Sequence, residues 1–412
     1  MRLKNVIVVN DNAFVQGGAA KVAIGSARLL ADAGYAVTFF AASGPPQSSL
    51  VGHPNIKTVC LHENYDINKL STKTRLIRGI WDVEAKKKFD AVLSAANPAD
   101  TVIHVHMVRE QLSSSVFPPM FDRQFSVVMT PHEYNIGCPY GGFFHYAKGT
   151  ICPQVGMSLG CMLDHCNRGP YVRKLWFFTK GKVQQVIAGI PRRLKDYIFI
   201  SDFSQRRLEP YLPADANKHF VRNPIEMDDS GVRVLQKDSP FLFVGRMTIE
   251  KDPVLFAEAA KRMGVRAVFI GDGELRPAVE EVNPDAECLG WIDRDEVKKW
   301  MLRSRALVFP SIWYEGQPLT VQEAEALGLP SIVSDACAPS EYVQNGSTGL
   351  VFRASDVNDL CEKMGELLDD SRAEEMAQAA HARFWSDPPT PAKHLQGLLQ
   401  VYETMLERRA AN

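Results

Sequence analysis

Short apolar runs alternate with longer amphipathic stretches along the whole chain. The first run, "NVIVVN" at 5–10, leads into "GGAAKVAIGSARLLADAGY". There Val22, Leu29, Leu30 and Ala33 recur at helical spacing and Gly34 closes the pattern. "AVTFFAA" (36–42), "DTVIHVHMV" (100–108), "FSVVMTPHE" (125–133) and "DYIFIS" (196–201) read as further strands. The pattern then restarts. "PFLFVGRM" (240–247), "RAVFIGDG" (266–273), "RALVFPS" (305–311) and "LPSIVSD" (329–335) are strands, and "DPVLFAEAAKRMG" is the helix after the first of them. Such alternation argues for parallel sheets covered on both faces. The break falls at 223–239, "NPIEMDDSGVRVLQKDS", which is polar and aperiodic. The expectation is an α/β chain. A doubly wound domain covers 1–222, a linker 223–239 and a second such domain 240–390. A helix over 391–412 is placed to pack back on the first domain.

Composition changes this picture little. The 412 residues suit two or three domains, and 45% hydrophobic with 23% charged residues is ordinary for a chain with a sizeable core. A net charge of −1 gives no global reason to expect nucleic acid as a partner. "MRLKNVIVVND" runs straight into a strand without a signal-peptide pattern, so a cytoplasmic location is expected. No apolar run approaches the ~18–20 residues of a membrane span. The eight cysteines are then thiols or metal ligands more than disulfides.

Ligands of open parallel sheets bind beyond the carboxyl ends of the strands, so those loops carry the candidate chemistry. In "YEGQPLTVQEAEALG" (314–328), Pro318 opens a helix that Gly328 ends, with Gly316 or Gln317 as cap. The amides of Leu319 and Thr320 lack intrahelical partners and form an anion site. Glu323 follows Leu319 by one turn, where a carboxylate could accept ribose hydroxyls. Glu315 stands outside the helix, facing the group beyond the phosphates. "FVGRMTIEKD" (243–252) adds Arg246 and Lys251, two cations able to neutralise a leaving diphosphate without a metal. Gly271 and Gly273 in "IGDGELRP" allow close backbone approach, but Arg276 breaks the dinucleotide fingerprint. Gly17 and Gly18 open the first helix in the same manner. Read alone, each stretch also fits a bland role: a solvated helix, an exposed basic pair, a plain turn.

Together they resemble glycosyltransferase family 4, a retaining family of GT-B fold, in which two Rossmann-like doubly wound domains face each other across a cleft. The motifs that carry the resemblance are "GRMTIEK", "IGDGELRP", "LGWIDRDEV", "VFPSIWYEGQPLTVQEAEALGLPSIVSD" and "EYVQNGSTGLVF" within 240–350. "FISDFSQRRL" and "VRNPIE" match more loosely. The resemblance implies that Arg246 and Lys251 hold the donor diphosphate, Glu315 contacts donor-sugar hydroxyls and Glu323 the ribose. It implies that the backbone of Gly290, Trp291 and Ile292 meets the base and that Gly18 lies near the phosphate or transferred sugar. His132 would face the sugar and acceptor. Gln317 departs from the family, which usually has a bulky apolar residue there, and leaves the donor's identity open. The implied function is retaining transfer from a nucleotide-sugar to a lipid-linked or oligosaccharide acceptor in cell-surface polysaccharide assembly, with no catalytic metal. Alternatives on this scaffold are a nucleotide-sugar epimerase and a non-catalytic nucleotide-sugar-binding protein.

Three smaller features compete for chemistry. "DRD" (293–295) reads as a cap, with Asp293 and Glu296 forming a capping box, more than as a metal site. His104 and His106 share one strand face, a spacing that can suit a metal, but strand-end histidines more commonly line a cleft, and that is the expectation here. Cys138, Cys152, Cys161 and Cys166 admit a structural zinc, although their gaps fit no standard finger; packed thiols are the other reading. Similar Cys-bearing inserts occur in polysaccharide-assembling members of the family. Finally, 168–195 holds eight basic residues, "LWFF" and no acid. That mixture suits an anionic membrane surface or a solvated basic helix with a buried aromatic face; the lipid-linked acceptor that the resemblance implies favours the first, so a peripheral location on the inner face is expected.

Overall fold

The structure, a computed structural model, describes residues 2–62, 71–109 and 111–411. The chain forms two compact units. The first comprises Met1–Gly142, Gln154–Pro224 and Pro389–Asn412, and the second Phe143–Pro153 and Ile225–Pro388.

The first unit is built on seven parallel strands: β1 (Asn5–Asn12), β2 (Ala36–Ser43), β3 (Ile56–His62), β4 (Thr101–Val105), β5 (Ser126–Met129), β8 (Asp196–Phe199) and β9 (Asn217–Phe220). A small antiparallel hairpin, β6 (Phe144–His145) and β7 (Thr150–Ile151), belongs to the second unit. The first sheet runs β3-β2-β1-β4-β5-β8-β9, so the order reverses between β1 and β4. Every residue of β1 from Val6 onward is buried, which explains its unbroken apolar run: helices cover both faces. Val8 lies opposite Phe39 of β2 and His104 of β4. The terminal helix Pro391–Ala411 seals this core. Leu398, Tyr402 and Leu406 are fully buried among Val6, Val8, Phe39 and the helix Gly18–Asp32. His394 fastens its first turn, with Nε2 2.8 Å from Ser26 Oγ and Nδ1 2.9 Å from the Arg222 carbonyl.

The second unit has β10 (Phe241–Val244), β11 (Ala267–Ile270), β12 (Glu287–Gly290), β13 (Ala306–Phe309), β14 (Ser331–Ser334) and β15 (Gly349–Phe352), all parallel in the order β12-β11-β10-β13-β14-β15. Alternate residues feed two cores. Phe241, Phe243 and Phe269 pack on one face, while Leu242, Val268 and Ile270 pack on the other. The helix Pro253–Met263 shows the local logic. Asp252 caps it at Leu255 N, proline stands at its first position, and Gly264 ends it at φ 63° with its amide on the Ala260 carbonyl. In this sheet the order reverses between β10 and β13, and such a switch point opens a crevice at the strands' carboxyl ends.

Candidate functional site

The second unit's switch point is where one of the predicted cations, Lys251, meets the first glutamate. Lys251 ends the loop after β10 and Glu315 stands in the loop after β13. The two form a partly buried ion pair. Glu315 Oε1 accepts from Lys251 Nζ, from Trp313 Nε1 and from Ser311 Oγ, the last at 3.2 Å. The Ser311 and Ile312 segment is itself pinned to the Glu250 carbonyl by Ile312 N at 3.0 Å, and the one Ser311 hydroxyl proton is shared between that carbonyl, 3.1 Å away, and Glu315. Lys251 Nζ also lies 5.3 Å over the Phe309 ring. Arg246 is different: its side chain is 61% exposed and its ion pair with Glu250 is a loose 3.9 Å. One cation is thus fixed beside the carboxylate and one is extended in solvent. Beneath them Cys337 is wholly buried, and burial pushes its thiol up to about 12, so it stays protonated and inert.

The glycines of "IGDGELRP" have a cause that the sequence did not show. A Cβ on Gly271 would stand 2.0 Å from the Gly245 carbonyl oxygen, and one on Gly273 2.4 Å from that of Met247. The backbone that comes close is the chain's own β10 loop. Hydrogen bonds lace the two loops together, from Gly245 N to Ile270 O, Met247 N to Asp272 O and Leu275 N to Met247 O. These glycines hold the Arg246–Lys251 loop in place. Gly290, the last residue of β12, adopts φ 70°; beyond it Ile292 packs into the core and Trp291 is 65% exposed. Asp293 caps the next helix at Glu296 N, 2.9 Å away, which is the structural reading of "DRD".

The helix after Glu315 spans Leu319–Ala326 with Pro318 as its N-cap residue, one position later than the sequence suggests, and no side chain caps it. Its first amides therefore need another partner. Gln317 turns inward, its amide 3.0 Å from Gln322 Oε1. Glu323 is engaged by Arg294, Nη2 to Oε1 3.3 Å, while Arg294 also reaches the Glu226 carbonyl. Arg294, Ser311 and Trp313 were not singled out from the sequence. The last two lie within four residues of Glu315 and could have been found by asking what would hold that carboxylate.

Gly18 and His132 belong to the first unit. Gly17 and Gly18 are exposed, and a Cβ on either would meet nothing within 4 Å, so this loop has room beside it. His132 follows β5 and lines a small cavity with His106, Met129, Asn135, Gln184 and Ile190. Its Nε2 is 3.0 Å from His106 Nδ1, and burial lowers it to about 4. Of the two strand histidines, both buried, His106 lines this cavity.

The cysteines of the insert are divided between the two units. Cys138, Cys161 and Cys166 are buried in the first unit, whereas Cys152 belongs to the second. Among the described residues no group of three or more His, Cys, Asp or Glu side chains is arranged to hold a metal. Instead Lys174, fully buried, places Nζ 3.0 Å from Cys166 Sγ and 3.5 Å from Cys161 Sγ. An ammonium at these sulfurs does not fit a zinc centre. Lys174 and Lys180 are also the two buried residues of the helix Tyr171–Val186, so neither is available to a surface.

The fold is of the GT-B class. Sucrose-phosphate synthase from Thermosynechococcus elongatus is similar over 98% of this chain and all of that one, with a TM-score of 0.69 at 15% identity. Residues 239–370 match the family described as Glycosyl transferases group 1. The segment bearing Arg246, Lys251, Glu315 and Glu323 lies within that match. Two relatives match over about the same segment length. The UDP-Gal:alpha-D-GlcNAc-diphosphoundecaprenol alpha-1,3-galactosyltransferase of Escherichia coli is 31% identical over 144 residues, 32% of this chain and 36% of that protein. The GDP-mannose-dependent alpha-mannosyltransferase of Corynebacterium glutamicum is 32% identical over 139 residues, 34% of this chain and 33% of that protein. The chain spans about a third of the length of each.

Proposed function

We propose that the protein is a retaining glycosyltransferase that moves a sugar from a nucleotide-sugar to a lipid-linked glycan in the assembly of a cell-surface polysaccharide. The observation that carries this reading is the grouping at one switch point of Lys251, Glu315 and an uncapped helix start. Lys251 and the amides of Leu319 and Thr320 would hold the diphosphate, with Arg246 folding in from solvent. Glu315 would exchange part of its present bonding for sugar hydroxyls, and Glu323 would take the ribose from Arg294. The relatives named above act with a UDP-sugar and a GDP-sugar, and one acts on a lipid diphosphate. That supports a nucleotide-sugar donor and leaves the base to experiment.

In this scheme the acceptor oxygen bonds to the anomeric carbon on the face from which the phosphate leaves. The acceptor proton passes to the departing phosphate oxygen, and the nucleoside diphosphate is released. The protein's part is orientation and stabilisation of the departing charge. Glu315 Oε1, already held by Lys251 and Trp313 and facing the Ser311 hydroxyl, suits a fixed hydroxyl acceptor better than an attacking nucleophile.

The proposed setting is the inner face of a membrane, approached through 168–195 and the helix Thr72–Ile80. Among the described residues no helix is long and apolar enough to cross a membrane. Thermal-shift screening with a panel of nucleotide-sugars should single out one donor, since saturation at 100-fold above Kd adds about 2.7 kcal/mol. That donor should then glycosylate a lipid-diphosphate-linked sugar with retained anomeric configuration. An isomerised donor without transfer would point to the epimerase. Binding with neither transfer nor hydrolysis would point to the non-catalytic protein, and an inverted product would end the retaining scheme.

A further inference from the structure

A column of three imidazoles runs through the first unit. His104 in β4 and His106 just beyond it share one side of the sheet, their ring centroids 4.0 Å apart. His106 and His132 are stacked at 5.3 Å and 16°. His104 is satisfied at both nitrogens, with Nδ1 2.6 Å from the Tyr402 hydroxyl and Nε2 2.7 Å from Thr130 Oγ1. His106 is not. Its Nδ1 meets His132 Nε2 at 3.0 Å, but its buried Nε2 has no partner among the described residues.

Burial holds both His106 and His132 in the neutral form at ordinary pH. A neutral imidazole carries one N–H, so only two arrangements satisfy the 3.0 Å contact. If His132 Nε2–H donates, the His106 proton must sit on its own Nε2, which strands a buried N–H. If His106 Nδ1–H donates, the stranded atom is a bare lone pair. Orphaned buried N–H groups are rarer than under-satisfied acceptors.

We infer that His106 is a positioning residue: it donates Nδ1–H to His132 Nε2 and thereby fixes the His132 proton on Nδ1. Among the described residues His132 makes no other hydrogen bond, so its Nδ1–H is left as a donor for a ligand oxygen at the cavity it lines. His132 then offers a hydrogen bond, not a lone pair, to what binds there. The consequence for catalysis rests on His132 facing sugar or acceptor; the tautomer itself does not.

The test begins with the full chain labelled with [15N]histidine and read by long-range 1H–15N correlation at pH 7, with His106→Gln and His132→Gln spectra for assignment. The expected pattern is a protonated Nδ1 and bare Nε2 on His132, with Nδ1 protonated on His106. A proton on His132 Nε2, or two protons on either ring, overturns the proposal. The second arm is kinetic. His106→Gln keeps an N–H donor at this position and should hold kcat within about threefold, whereas His106→Leu should lower kcat about tenfold at unchanged donor KM. Equal losses in both variants with the His132 proton unmoved would reduce His106 to packing and overturn the role. Were the parent chain to show no transfer, the functional reading would fall while the spectrum still decided the tautomer.

Discussion

Lys251 and Glu323 carry different parts of the proposed chemistry, so their loss should separate. Lys251 sits where charge would develop on the leaving diphosphate, and removing one preorganised donor to developing charge costs on the order of a hundredfold in kcat. Lys251→Ala should therefore slow turnover about that much. The carboxylate of Glu315 would keep Ser311 and Trp313, so the fold should survive. Glu323 would bind ribose in ground and transition states alike, so Glu323→Ala should raise donor Kd by roughly tenfold and leave kcat nearly unchanged. Isothermal titration and initial rates decide between them; parent-like behaviour of both variants would remove the site. Next to Lys251, Asp252 gives a pH signature. Burial raises its carboxyl to about 6 from 3.8, so the folded state holds this proton more tightly than the unfolded chain. The resulting penalty is absent below pH 3.8, grows as pH rises and is complete above 6. Asparagine keeps a capping oxygen and tolerates the left-handed φ of 46° found here. Asp252→Asn should add about 1–3 kcal/mol above pH 6 and little at pH 4, as read from urea midpoints across that range. A gain that does not vary with pH would refute the assignment.

At the scale of elements, the helix Tyr171–Val186 is inside out. Its buried residues are Lys174 and Lys180, which serve thiols and the Arg109 carbonyl, while Val172, Leu175 and Val186 are exposed. The neighbouring helix Thr72–Ile80 buries no residue at all and shows Leu76 and Ile77 beside Lys73 and Arg75. It is joined to the first by Trp176, which donates to the Leu76 carbonyl at 3.0 Å and lies so close to Gly79 that a Cβ there would meet its ring at 2.6 Å. Apolar side chains turned outward among cations are the pattern of a helix lying in a lipid interface. Leu76→Asp/Ile77→Asp and Val172→Asp/Leu175→Asp should each reduce sedimentation with anionic vesicles severalfold without lowering the melting temperature; unchanged vesicle binding would exclude this face. The same scale shows what the sequence concealed. The strands legible as apolar runs are the central ones, buried on both faces. The four parallel strands that escaped, β3, β9, β12 and β15, are the edges of the two sheets. An edge strand such as β9, "NKHF", has one flank in solvent and alternates exposed with half-buried residues, so it leaves no continuous run to read. The switch-point loops were legible because charged residues directly after an apolar strand stand out. The Gly271 and Gly273 contacts were not, because they depend on which loop packs against which.

The molecule as a whole is two α/β cores threaded by one chain that returns to the first. The segment Pro389–Asn412 rejoins the unit it left some 165 residues earlier, at Pro224. That return is structural and not decorative, for Leu398, Tyr402 and Leu406 are among the most buried residues of the first core. Burial of each such side chain is worth about 1.5–3 kcal/mol, and their joint loss is comparable to the ~5–15 kcal/mol that holds a domain together. Removing the helix would also leave His104 Nδ1 and Ser26 Oγ without their partners Tyr402 and His394, at roughly 1–3 kcal/mol for each buried group left unpaired. Truncation after Pro388 should therefore unfold the first unit while sparing the second, whose sheet and two apolar cores contain no residue beyond 388. Limited proteolysis of the truncated chain should yield a resistant fragment near 225–388, and the nucleoside diphosphate of the preferred donor should still slow hydrogen exchange at 245–251 and 313–323. The milder Tyr402→Phe, which removes only the hydroxyl on His104, should cost about 1–2 kcal/mol and loosen exchange in the first unit alone. Digestion of the second unit along with the first, or loss of diphosphate protection in the resistant fragment, would show that the anion site cannot form from its own switch point.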